Sequence, residues 1–527
     1  MADGKGDIEL ATHADGDRTP PELAGAQETI SGTPIDADEK HAQQHNGGVL
    51  ERYINLISAI NFGFILQCSW EATAVTFQFS LSNGGPAAMV YGSLFAGIGT
   101  TTIAMSLAEM ASMDPVVGAQ YRWSARFAPG WNEFWGLMQG WITIFAWICS
   151  CTSNPAILSN IIVGLAIFNY PDYVPERWHT TLIMWAFTIL PFVANFWFRR
   201  LLNPLEAVGA ICHVLFFIIS IITLVVLAER STVSYVFETL THDASGWNNA
   251  AVSWGIGLLS VTYPLTGFDG VLHMSDEVKQ AKTRVPRSMI AAVAMNAIMQ
   301  FAYVVCLLFT IGNIDKVTNT PTALPIIEVY YEATGSKSAT NLFIVMIAII
   351  ILIAFFNVFA SVSRLVWAFS RDKGLPFSGF FGKVNTRLKM PLNALGLVGL
   401  AICLLAIINI GSATAFNAFI SLPAMALYIS YFFPILFFFL RRFSSNKPAP
   451  GPFSLGVVGL PINLFAMSYI IFTFIWMPFP TVLPVTGDNM NYAGPLVGAI
   501  IIGALIDWFI SGRKRFKVPV ARERPDY

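Results

Sequence analysis

The chain has 527 residues, 55% of them hydrophobic and only 12% charged, with a formal net charge of −1. Soluble domains carry about 25% charged residues, so this balance excludes an ordinary soluble protein and points to a multi-pass membrane protein. Near-zero net charge gives a nucleic-acid partner no electrostatic support. The six cysteines fall in apolar stretches without the spacing of a metal cluster or a redox Cys-x-x-Cys pair.

Residues 1–50 hold ten acidic side chains against three basic ones and no Phe, Trp or Tyr. Such a stretch cannot bury enough apolar surface to offset its ordering entropy, so it reads as a disordered acidic tail. Beyond it, a helix needs about 20 apolar residues to cross a bilayer. Twelve stretches meet that test: 54–80, 87–111, 131–165, 179–198, 203–228, 251–275, 288–311, 339–369, 391–410, 413–440, 454–477 and 493–511. The expected fold is therefore an all-α polytopic membrane protein with twelve transmembrane helices.

Lys and Arg alternate strongly between the connecting loops. Arg122, Arg126, Arg199, Arg200, Lys279, Lys282, Arg284, Arg287, Arg371, Lys373, Lys383, Arg387, Lys389, Arg441, Arg442 and Lys447 fall on one side. Only Arg177, Arg230, Lys316 and Lys337 fall on the other. The excess marks the cytosolic face, which places both termini in the cytosol.

In the first apolar stretch, Gln67-Cys68-Ser69-Trp70-Glu71-Ala72-Thr73 puts a carboxyl group at membrane depth. A carboxyl there is costly and marks a functional site by default. The alternative is that Glu71 lies near the outer interface, hydrogen-bonded to another helix. Trp70 reads as a gate over a substrate or as packing. The second stretch ends in a loop where Glu109, Asp114, Arg122 and Arg126 could form an inner latch.

The fifth stretch carries Glu206 and His213. His213 reads as a proton-coupling group or as a hydrogen-bonded structural histidine. The sixth contains Tyr263-Pro264-Leu265-Thr266-Gly267-Phe268-Asp269-Gly270-Val271-Leu272-His273. A continuous lipid-facing helix would not tolerate that sequence, whereas a helix broken around a binding site requires it. The break is expected at Thr266-Gly267-Phe268. His273 then lies nearer the cytosolic mouth. In the eighth stretch Ser361 and Ser363 offer hydroxyls for an ion, or simply for backbone.

Several motifs follow one another along residues 50–445: Ser69-Trp70-Glu71, Ser82-Asn83-Gly84-Gly85-Pro86, Gly118-Ala119-Gln120-Tyr121-Arg122-Trp123, Tyr263 through Gly270, Val285-Pro286-Arg287-Ser288, and Ala368 through Pro376. In order and spacing they resemble the amino acid–polyamine–organocation superfamily, in particular its fungal amino acid/choline branch with GABA and choline permeases. The resemblance implies a 5+5 inverted-repeat transporter core with helices 1 and 6 broken around the substrate. It also implies an organisation of 1–50 as acidic cytosolic tail, 51–445 as ten-helix core, 446–511 as two additional helices and 512–527 as basic cytosolic tail.

Carried over residue by residue, the resemblance makes Ser69, Trp70, Glu71, Thr73, Tyr263, Thr266, Gly267, Phe268 and Asp269 the substrate-binding candidates. The first break is expected near Ser69 to Thr73. Glu71, His213, Asp269 and His273 are the proton-coupling candidates. One departure is that many relatives carry a Gly-x-Gly element where this chain reads Gln67-Cys68-Ser69-Trp70. That weakens the transfer of an α-carboxylate site.

The function expected is a secondary active permease for amino acids or small amines such as GABA or choline. It would work by alternating access in the plasma membrane, coupled to a proton, with sodium as the other candidate ion. An exporter of a specialised metabolite or its amino-acid precursor is one alternative, and a non-transporting nutrient sensor another. No nucleotide loop, metal cluster or nucleophile triad suggests an enzyme, a cofactor or a bound metal.

Overall fold

The computed structural model describes residues 52–517, apart from 198, 386, 387, 389, 412–414, 446 and 488. The acidic tail expected at 1–50, and residues 518–527 of the basic tail, lie outside them.

Among the described residues the backbone forms helices and turns, with only two isolated β-bridges. This follows from the solvent. A lipid-exposed segment must satisfy its own N–H and C=O groups, which a helix does internally. Ten helices are long and apolar enough to cross a membrane: Gly85–Met113, Asn132–Asn169, Arg177–Trp197, Pro204–Leu227, Ala281–Phe309, Lys337–Arg371, Leu392–Gly411, Ala418–Arg441, Gly456–Trp476 and Ala493–Arg515. The 38-residue Asn132–Asn169 helix is longer than the ~20 residues a perpendicular span requires, so it tilts or projects.

Among the described residues, two of the twelve expected stretches hold no single helix long enough to cross a membrane. The first is divided into Leu56–Gln67, Ser69–Thr76 and Gln78–Ser82. The sixth is divided into Ala250–Gly257, Leu259–Thr262 and 3₁₀ turns at Tyr263–Leu265 and Phe268–Glu277.

Both divided stretches lie inside the bundle. Every residue from Phe62 to Phe77 is buried, and so is every residue from Gly255 to Ser275. The Pro204–Leu227 helix is the opposite case. It exposes Val208, Ile211, Leu215, Ile218, Ile222 and Val226, a stripe at helical spacing that suits lipid. The divided first stretch packs closely against the Ala281–Phe309 helix. A Cβ added at Gly63 would come 3.2 Å from the Ala292 Cβ, and one at Gly97 equally close to Ala297. Small residues of this kind let membrane helices approach one another.

The acidic and basic residues between the second and third stretches divide their partners. Arg126 lies 3.7 Å from Asp114. Glu109 instead pairs with Arg442 and accepts hydrogen bonds from Ser454 Oγ and the Leu455 N–H, both at 3.1 Å.

Candidate functional site

The first stretch is interrupted at Cys68, whose φ of 34° and ψ of 54° are left-handed. The expected position was Ser69 to Thr73, but Ser69–Thr76 is helical. A left-handed residue with a Cβ costs about 1–2 kcal/mol, so the surroundings must hold it. Asn296 does so. Its Nδ2 donates to the Phe64 carbonyl at 3.0 Å and to Gln67 Oε1 at 3.1 Å, while its Oδ1 accepts the Ser69 N–H at 3.3 Å. Ser69 Oγ donates in turn to the Asn296 carbonyl.

In the sixth stretch Thr266 is extended (φ −75°, ψ 165°) and Gly267 is left-handed at φ 82°. Pro264 lacks the N–H that would continue the helix. The two interruptions touch, because Gln67 Nε2 donates to the Leu265 carbonyl at 2.8 Å.

Between them lies a cavity of about 20 Å³, room for roughly one water molecule. Leu66, Gln67, Cys68 and Ala72 line it from the first stretch, and Tyr263, Pro264 and Thr266 from the sixth. Ser150, Asn154 and Ile157 come from the Asn132–Asn169 helix, and Ile351 and Val358 from Lys337–Arg371. No charged side chain is among them. The helix Ser69–Thr76 begins directly after Cys68, a lining residue, so its positive N-terminal turn lies beside that space.

On either side of the interruptions in sequence, the same two stretches touch again. At one end the Tyr53 and Ile54 N–H groups donate to the Glu277 carbonyl, and the Lys279 N–H to the Ile54 carbonyl, all at 3.0 Å. Arg364 Nε lies 2.6 Å from Glu277 Oε1, with both side chains buried. At the other end Ser260 Oγ donates to the Thr76 carbonyl at 2.6 Å and accepts the Ser80 N–H at 3.2 Å. Ser80 Oγ also donates to the Gly257 carbonyl. Tyr263, a lining residue, shares a 2.8 Å hydroxyl–hydroxyl hydrogen bond with Ser153.

Of the substrate-binding candidates, Tyr263 and Thr266 line the cavity. Gly267 follows directly as the left-handed cap, and the others lie elsewhere. Ser69 and Thr73 bond to backbone carbonyls, Thr73 to that of Ser69 at 2.8 Å. Trp70 Nε1 donates to the His213 carbonyl at 3.3 Å, and its ring packs against Tyr303 and Phe217. Phe268 packs on Tyr431.

Glu71 is fully buried against His213, with Oε1 2.6 Å from Nδ1. Asp269 is also fully buried. It accepts hydrogen bonds from Tyr431 OH at 2.5 Å, Gln120 Nε2 at 2.5 Å and Trp147 Nε1 at 3.2 Å. His273 Nδ1 donates to the Val117 carbonyl at 2.8 Å, leaving Nε2 3.7 Å from Asp269 Oδ2.

The titratable candidates thus form two separate clusters, Glu71 with His213 and Asp269 with His273. Ser361 donates to the Gly270 carbonyl and Ser363 to that of Ala360, so both hydroxyls are engaged by backbone. Sequence reasoning missed Ser150, Asn154 and Asn296. The signal for the first two was polar residues beside Pro155 inside an apolar run. Next to Gln120, Tyr121 donates to Asp372 at 2.8 Å. Burial, and then the nearby Asp372 charge, push its phenol well above the ordinary value, so it remains a donor at neutral pH.

Residues 56–505 match the sequence model of the family described as amino acid permease. A protein named putative amino acid/polyamine transporter from Macrophomina phaseolina is 31% identical over 437 residues, covering 82% of this chain and 96% of that one. The choline transporter of Saccharomyces cerevisiae is 29% identical, covering 91% and 85%. A rice protein named as a homologue of amino-acid permease BAT1 (Oryza sativa subsp. japonica) is 29% identical, covering 92% and 96%. The chain belongs to the amino acid permease family of the amino acid–polyamine–organocation superfamily, and it is a multi-pass membrane transporter rather than an enzyme.

Proposed function

We propose that this permease carries a small amine-bearing solute, an amino acid or choline, and that the cavity between Cys68 and Thr266 is its substrate site in a closed state. The single observation that carries this reading is the meeting of two interrupted buried stretches around one small cavity. Interrupted membrane helices supply free backbone groups and helix ends to a ligand at mid-bilayer. On this reading the first and sixth stretches are the eleventh and twelfth spans, residues 51–445 form two five-helix inverted repeats, and 446–511 add two helices. Both termini face the cytosol, as the Lys and Arg distribution supports.

The ring of contacts at Tyr53, Glu277 and Arg364 is then the cytosolic gate. The contacts at Ser80, Gly257 and Ser260 form the outer one. Opening one set while keeping the other constitutes alternating access, and the site must widen to admit a substrate.

The neutral lining favours a zwitterion. A carboxylate is suited to the N-terminal end of Ser69–Thr76, and an amine to the carbonyl and hydroxyl oxygens of the lining residues Tyr263, Pro264 and Thr266. Choline is the second reading, favoured by the likeness to a choline transporter and by the Tyr263 ring, a face for a quaternary cation. GABA shares the zwitterion's two groups at a longer spacing. The solute moves with a proton, for which the two buried carboxyl clusters are the candidates. The test is an uptake panel of radiolabelled amino acids, GABA, choline and polyamines in proteoliposomes, at two pH values, with and without sodium. Saturable uptake of one class supports the reading; no flux of any of them contradicts it.

A further inference from the structure

Glu71 and His213 sit together away from the substrate cavity. Neither lines it, yet Glu71 lies one residue before Ala72 and three after Cys68, which do. Both side chains are fully buried. One contact at 2.6 Å joins them, while Glu71 Oε2 and His213 Nε2 have no hydrogen-bond partner. Around them lie Phe64, edge-on to the imidazole at 4.6 Å between ring centres, and Trp70, tilted against it at 6.3 Å, with Cys68 and Tyr330 as the other titratable groups near Glu71; Tyr330 bonds Ser220 and Tyr303. Among the described residues neither Glu71 nor His213 pairs with Lys or Arg.

The charge count of such a pair is simple. With one proton between carboxyl and imidazole the pair is neutral overall. With none it is −1, with two it is +1, and either charge is costly in an unpaired apolar interior. The pair therefore holds one proton while the two elements are together. Separating them exposes the proton for exchange with water. The elements that would separate are the Ser69–Thr76 helix, hinged at left-handed Cys68, and the Arg199–Leu227 helix.

We propose that Glu71 and His213 together form the binding site for the coupling proton, outside the lining of the substrate cavity and linked to it through the Cys68 interruption. This rests on the transporter reading above. It also separates the pair from Asp269, which three neutral donors already satisfy and whose role is then to position the sixth stretch.

The test uses the full chain in proteoliposomes, with whichever solute the wild type takes up. His213→Gln and Glu71→Gln are each assayed for accumulation driven by a pH gradient, for proton movement accompanying the solute, and for exchange of internal for external solute. In His213→Gln, gradient-driven accumulation and accompanying proton movement are expected to be lost while exchange persists. Gradient-driven accumulation at the wild-type level in both variants overturns the proposal. For a variant that does not exchange, solute is titrated into purified protein in two buffers of different ionisation enthalpy. The proton count per solute is expected to change from that of the wild type, and an unchanged count overturns the proposal. Failure of the wild type to move any solute would strike the transporter reading instead, whereas flux in the wild type indifferent to a pH gradient overturns this proposal and the proton coupling it rests on, and leaves the transporter reading standing.

Discussion

Gln120 donates a 2.5 Å hydrogen bond to Asp269, across 149 residues of sequence. Gln120 sits at the start of the short Ala119–Phe127 helix, and Asp269 just beyond the left-handed Gly267. Tyr121, the next residue, bonds Asp372 and packs against Phe369 and Phe516. The interrupted sixth stretch is thereby fastened to a short buried helix, which is itself anchored to the end of Lys337–Arg371 and to the C-terminal segment.

Asp269→Asn keeps an acceptor for Tyr431 but sets an amide against the donors Gln120 and Trp147. A donor left without its acceptor in a buried site costs about 1–3 kcal/mol. Uptake is expected to fall to background while surface expression, read by labelling intact cells, stays near wild type. Wild-type uptake would remove Asp269 from the moving parts.

Arg364 and Glu277 form a buried ion pair at 2.6 Å. Removing one partner of such a pair typically costs about 3–5 kcal/mol, because the other charge is left uncompensated. Arg364→Met is therefore expected to lower the thermal unfolding temperature of the purified protein strongly. The double variant Arg364→Met/Glu277→Leu is expected to recover most of that loss. Equal destabilisation of single and double variants would mean that the pair's own charge is not what matters.

Asn296→Ala removes the bonds to Phe64, Gln67 and Ser69 that hold Cys68 left-handed. With two or more buried groups left unpaired, a loss of about 2–4 kcal/mol is expected, seen as a lower unfolding temperature. Adding Cys68→Gly should restore part of it, because glycine takes the left-handed conformation without a Cβ penalty. No rescue would show that backbone strain at Cys68 is negligible.

Much of this arrangement was legible in the sequence because it depends on composition and local chemistry. Charge depletion and the lengths of apolar stretches indicated the membrane class. Pro264 and Gly267 in an apolar run lie where the sixth stretch leaves the α-helix. The first interruption was displaced by one residue, since Cys68 is left-handed only because Asn296, 228 positions away, satisfies the backbone around it. No local signal encodes that.

The candidate site was less legible for the same reason. Which face of a short helix looks into the cavity depends on rotation set by its neighbours. Glu71 turned towards His213, whereas Ala72 turned towards the cavity. Asn154 and Ser150 reach it from a helix whose polar residues carry no motif.

The cavity between Cys68 and Thr266 is tested most directly by filling it. Ala72→Leu adds three carbons at a wall of a cavity of about 20 Å³, and its neighbours are backbone and side chains already in contact. The measurement is saturable uptake of the solute found for the wild type, in proteoliposomes of matched protein content, with the unfolding temperature recorded in parallel. Ala72→Leu is expected to lose uptake and solute-dependent thermal stabilisation while unfolding within a few degrees of the wild type. Uptake by Ala72→Leu with wild-type affinity and rate would contradict the placement of the substrate between the two interruptions.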